Sequence, residues 1–253
     1  MSLFVRSGRS VQLTSNGEQF LQSVRSALDL LDGASRDLFS QTRGSPGQIR
    51  ISALPFLSTA VLIPALGDLE RCCPGVVIRL EGTHQYAGFN DSGIDVAVRY
   101  GRERSEGLRL EPLISVTGMP VCSPALAHDL ASPSDISRHV LIQLSQQPRA
   151  WSAWLRDMAP DAPKPRGELW LDSVPGALEA AEQGLGVALA MDPLIKGWRG
   201  WGDRLVASFD LKSKRAETLY FVCRPQSAND RHVQTVRLWL HDALAKLCNE
   251  GQL

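Results

Sequence analysis

The sequence predicts an α/β protein built from two lobes behind a long helix. Three features predict it. A breaker-rich stretch at 43–47 cuts a long amphipathic helix off from the rest of the chain. Short apolar strands then alternate with helices in two successive blocks. Two extended segments, near 118–122 and 217–222, would carry the chain from one block to the other and back.

The elements follow in order. Residues 1–14 hold a short basic hairpin, in which Arg6 and Arg9 flank a Gly/Ser turn and Val11-Gln12-Leu13 alternates. Ser15 and Glu18 have the spacing of a capping box, so a helix is expected over 15–43. Its apolar residues Leu21, Val24, Leu28, Leu31 and Leu38 recur at spacings of three and four, between Arg25, Asp29, Asp32, Arg36 and Asp37. So narrow a stripe suits pairing with another chain better than packing on the helix's own domain, and the helix is read as a dimerisation element.

Beyond the linker, 48–53 reads as a strand and 60–71 as a helix interrupted near its start by Pro64. Strands are expected at 76–81 and 94–99, the grammar of a parallel sheet, and an extended segment at 113–122 follows Pro112 and contains Pro120. The second block repeats that grammar with a strand at 141–144, a short helix at 151–158, a strand at 169–172 and a helix at 176–183. Gly184 reads as that helix's C-cap and Gly186 as the entry to a buried strand at 187–191. A strand at 217–223 and an amphipathic helix at 227–249, carrying Val233, Val236, Leu240, Leu244 and Leu247, complete the chain. The first lobe is therefore assigned 47–118 with 219–253, and the second 119–218.

Composition excludes several functions. Net charge is zero, so the chain has no global field drawing it to nucleic acid or a membrane. It has no apolar run near the ~18 residues of a membrane span, and its N-terminus lacks the apolar core of a signal peptide. Five cysteines without a CxxC pattern read as small buried hydrophobes in a reduced compartment, so a soluble cytoplasmic protein is expected. GxSxG, HExxH, Walker A and EF-hand patterns are absent, and the five histidines show no ligand spacing. No catalytic residue, metal or cofactor is expected.

Polar residues at strand ends remain. Pro55, Phe56 and Ser58 lie between a strand and a helix, and Ser173 stands in the equivalent place in the second lobe. Two helix N-termini facing one another would hold a small anion through N–H groups and dipoles. Thr83, Arg99 and Tyr100 follow strands and would line the same rim. The plainer alternatives are N-capping by Ser58 and Ser173, and a surface ion pair for Arg99.

The landmarks, taken as an ordered set, resemble a known family. They are Phe4, Arg6, Arg9, Val11, Leu13, Thr14 and Gly17; Leu62-Ile63-Pro64 with Leu66; Pro74-Gly75-Val76; the run 95–101 (DVAVRYG); the run 120–124 (PVCSP); the run 177–189 (ALEAAEQGLGVAL); and Trp239-Leu240. Together they resemble the LysR-type transcriptional regulators across essentially the whole chain, most closely the branch that includes the glycine-cleavage activator.

The resemblance implies a winged helix-turn-helix domain, a dimerising linker helix, and a two-lobed effector domain similar to type 2 periplasmic binding proteins. A small molecule in the cleft would change how a homodimer or homotetramer sits on promoter DNA. Residues 1–14 then correspond to the wing, with the helices that precede it lacking, and Arg6 and Arg9 match positions that meet DNA phosphates. Thr83 and Ser173 match ligand-contacting positions. Phe56 stands where many members carry serine, which implies a more apolar or smaller pocket. A solute-binding protein of the same fold is the alternative, and the wing-plus-linker opening argues against it.

Overall fold

The computed structural model describes residues 2–7, 10–21, 23–24, 27–28, 31, 47–84, 89, 93–101, 107–209 and 213–249. Phe4–Ser7 (β1) and Ser10–Leu13 (β2) pair antiparallel, with Phe4 opposite Leu13. Residues 15–21, 23–24, 27–28 and 31 are helical. The expected capping box is replaced by a cap one residue earlier. Thr14 Oγ1 accepts from the Gly17 N–H at 3.0 Å, and the Thr14 N–H donates to Leu3 O at 3.1 Å. That bond brings Leu3 O so close to Gly17 that a β-carbon there would overlap it. Arg6 lies in β1, whereas Arg9 and Leu38 fall outside the described residues.

Among the described residues the main sheet has nine strands. They are Gln48–Ala53 (β3), Val77–Gly82 (β4), Val96–Tyr100 (β5), Arg109–Cys122 (β6), Val140–Leu144 (β7), Gly167–Leu171 (β8), Val187–Asp192 (β9), Val206–Ala207 (β10) and Ala216–Cys223 (β11). Their order is β4-β3-β5-β11-β6-β9-β7-β8, with β10 also on β6. β3 pairs parallel with β4 and β5, and β7 pairs parallel with β8 and β9. β6 and β11, antiparallel to each other, cross between the two halves. Strands inside the sheet are apolar on both faces, as Val96, Ala97 and Val98 show, while the edge strands β4 and β8 alternate.

Four longer helices cover the sheet: Ile63–Cys72 (α1), Ala150–Met158 (α2), Val174–Glu182 (α3) and Arg231–Asn249 (α4). α1 is preceded by a helical turn at Pro55–Leu57 and a π-helical turn at Ser58–Leu62, so helical structure begins earlier than the sequence predicts. Pro64 explains the widened turn, because proline cannot donate to the carbonyl four residues back and its ring crowds that oxygen. Gly184, at φ 74°, closes α3 as expected. Its N–H donates to Ala181 O and the Leu185 N–H to Ala180 O, the two bonds of a Schellman motif.

The cysteines divide. Cys73, Cys122 and Cys223 are buried as expected, whereas Cys72 and Cys248 are exposed. No helix among the described residues is long and apolar enough to cross a membrane.

Candidate functional site: the gap between facing strand ends

The strand registers place the site. Tyr100, the last residue of β5, lies level with Leu219, which lies level with Ile114 of β6. Asp192, the last residue of β9, lies level with Thr117 of the same strand. β5 runs toward the second lobe and β9 runs back toward the first, so their C-terminal ends face one another. Along β6 the two ends are offset by three residues, from Ile114 to Thr117, or about 10 Å at the usual rise, and the β11–β6 pair lies between them in the sheet. The parallel partners of each strand bring their own C-terminal ends to the same gap, where ligands of open α/β sheets bind.

On the first lobe's side stand Ser52, Thr83, His84, Arg99 and Tyr100. Arg99 is only 3 % exposed. Its guanidinium donates to Ser52 O at 3.0 Å, Ser52 Oγ at 2.6 Å and Val98 O at 2.8 Å, tying β5 to the end of β3. A buried guanidinium held by backbone oxygens is a fixed positive charge rather than a swinging surface cation. Its field and the desolvation of the imidazole, the latter the larger cause, hold the His84 pKa below the ordinary histidine value. The Thr83 N–H donates to Ala53 O at 2.9 Å and so prolongs the β3–β4 ladder into the gap.

Tyr100 crosses the gap. Its hydroxyl donates to the Sδ of Met191 on β9, and burial, with a contribution from Glu217, pushes its pKa well above the ordinary tyrosine value. In the second lobe, Ser173 Oγ accepts from the Gly176 N–H at 3.3 Å and caps α3. Gln146 Nε2 donates to Asp172 O at 3.1 Å, bracing the loop in front of that helix. Replacing Ser173 by alanine should therefore cost about 1 kcal/mol of stability, read as a lower urea midpoint at unchanged slope.

Two positions singled out from the sequence, Phe56 and Ser58, do not present side chains to the gap as expected. Phe56 is buried in the core and tilts against Trp198, with ring centroids 6.2 Å apart. Ser58 caps nothing and is buried at 5 % exposure, and its Oγ has no hydrogen-bond partner. Pro55 is half-buried beside Gly82. Sequence reasoning missed Met191, inside an apolar run read as a buried strand, and Trp198, in a segment to which no element was assigned. Among the described residues, no cluster of three or more His, Cys, Asp or Glu could hold a metal.

Comparison with known proteins agrees with this architecture. The LysR substrate binding domain matches residues 42–245. The glycine cleavage system transcriptional activator of Escherichia coli K12 is 31% identical over 258 residues, covering 100% of this chain and 81% of that one. The effector domain of the regulator AmpR from Pseudomonas aeruginosa superposes with a TM-score of 0.65 at 22% identity, over 82% of this chain and 100% of that one. Full-length AphB, a virulence activator of Vibrio cholerae, gives a TM-score of 0.63 at 20% identity, over 95% and 83%. These relatives are regulators rather than enzymes or transport proteins, so the solute-binding alternative is not favoured. The chain belongs to the LysR family of transcriptional regulators and carries its effector-binding domain.

Proposed function

We propose that this regulator senses a small metabolite in the gap between the facing strand ends, and that Thr83, Arg99, Tyr100 and Ser173 frame the binding place. The observation that carries this reading is the register of β5, through β11, and of β9 on β6, which turns two sets of parallel-strand ends toward one another with an offset along the strands of about 10 Å. The fixed charge of Arg99 and the N-terminus of α3 both favour an acceptor-rich or anionic group there. Pro55, Phe56 and Ser58 shape the wall behind it. Thermal-shift titration with a panel of amino acids and small carboxylates tests the idea. A true ligand at a hundred times its Kd should add about 2.7 kcal/mol. Thr83→Val should weaken that ligand at least about tenfold, and unchanged affinity would remove Thr83 from the site.

Oligomerisation through 15–43 belongs to the same proposal. Leu21 and Val24 are half-buried, whereas Leu28 and Leu31 are 60% and 66% exposed, a seam that a second chain would cover. The full-length protein would then act on promoter DNA as a homodimer or homotetramer, with Arg6 and Arg9 at the phosphates. Leu28→Asp with Leu31→Asp should shift sedimentation toward the monomer. An unchanged sedimentation coefficient would sink this role for the helix.

A further inference from the structure

The lobes also meet away from their crossing strands. The carbonyl that Pro64 cannot pair with belongs to Ala60, inside the π-helical turn where the Ile63 N–H reaches back five residues to Ser58 O. Ala60 O lies against Gly197, at the end of the 3₁₀ turn Leu194–Gly197 in the second lobe. A β-carbon on Gly197 would overlap that oxygen. Beside this contact Phe56 of the first lobe meets Trp198 of the second. Glu182 accepts from Trp198 Nε1 and, at 3.0 Å, from Arg204 Nε, and its carboxylate fills the space that a β-carbon on Gly200 would need. Buried apolar side chains run without a break from Leu62 and Val236 of the first lobe to Ala181, Leu194 and Ile195 of the second.

We propose that Ala60, Gly197 and the aromatic pair beside them key the lobes together, so that the lobe-to-lobe angle stays the same whether or not the gap is filled. The statement about filling rests on the effector reading above; the keying does not. A hinge needs surfaces that can slide or part. A carbonyl seated where a side chain would stand admits one arrangement, and close-packed interiors do not deform continuously. Parting the lobes would also bring Ala60, Val61, Leu194 and Ile195, all buried now, into water.

A double-mutant cycle and a distance measurement test the key. Gly197→Ala should lower the Tm by roughly 8 °C, because the new methyl meets backbone rather than a yielding side chain. Pro64→Ala supplies an N–H that draws Ala60 O back into an α-helical bond. Adding it to Gly197→Ala should recover at least about half of that loss. Additive losses, or a double variant that does not fold, would overturn the key.

The second arm keeps Gly197. Spin labels at Glu70 and Asp161, with the exposed Cys72 and Cys248 replaced by serine and labelled chain diluted into unlabelled, should give one narrow distance. A broad or two-peaked distribution would overturn the proposal. Repeated with any amino acid or carboxylate that raises the Tm in the thermal-shift titration, the labels should give the same distance, and a shifted one would overturn the invariance. A gap that binds nothing shows itself in the titration and leaves the ligand-free result standing.

Discussion

Trp151→Ala should cost the effector domain about 4 kcal/mol, the middle of the range for removing a buried tryptophan. Trp151 is 2% exposed on α2 and packs edge-on against Trp154 at 5.8 Å between centroids. Its Nε1 donates to Ile142 O at 2.9 Å, which pins α2 to β7 as well as filling the space between them. Leu130, Ile136, Leu141 and Val187 share the same cluster and cannot collapse into the void without moving both β7 and β9. The loss should appear as a fall in Tm of roughly 10 °C. Trp151→Phe, which keeps most of the volume and loses the N–H, should cost about a third as much. A loss under about 1.5 kcal/mol for the alanine variant would mean that this cluster is not the second lobe's core.

Gly186→Ala should be nearly as severe, at about 3 kcal/mol. The β-carbon would overlap Val140 O and lie 3.1 Å from Val140 C, so backbone rather than a flexible side chain stands in its way. Gly186 leads into β9 where that strand runs beside β7, with Val187 level with Leu141. Relief would require the two strands to part at their start, undoing the order of the second lobe's sheet. Denaturant unfolding checks it, and a midpoint shift within error of zero would contradict the close approach. Gly184→Ala, strained by φ alone because only Ser123 Oγ lies near, at 3.4 Å, should cost less, about 1 kcal/mol.

Much of this was legible in the sequence because it depends on local pattern. The bounds of β3 agree with the alternation at 48–53, and the roles of Gly184 and Gly186 follow from their place between a helix and a buried strand. Thr83, Arg99, Tyr100 and Ser173 stand at strand ends because the alternation of strand and helix already puts them there. What escaped depends on partners far along the chain. Phe56 turns inward because Trp198 packs against it, and Arg99 is buried and tied to Ser52 on the neighbouring strand. Thr14 displaces Ser15 as the cap only because the hairpin returns Leu3 O to it. α4 starts at Arg231 rather than at 227 because Asp230 Oδ1 accepts from the N–H groups of His232 and Val233.

The position of β11 also governs how the protein is made. It lies between β5 and β6, so two strands separated by only a short connection in the chain are kept apart in the sheet by a third. α4, which supplies Val233, Val236, Leu240 and Leu244 to the first lobe's core, comes later still. As the chain leaves the ribosome, the lobe begun first is therefore finished last. β3, β4 and β5 emerge with an open edge that only β11, made after the strands of the second lobe, closes. A nascent chain halted before residue 216 should hold a second lobe complete in its strands beside an unsealed first one, and should be the species that chaperones retain.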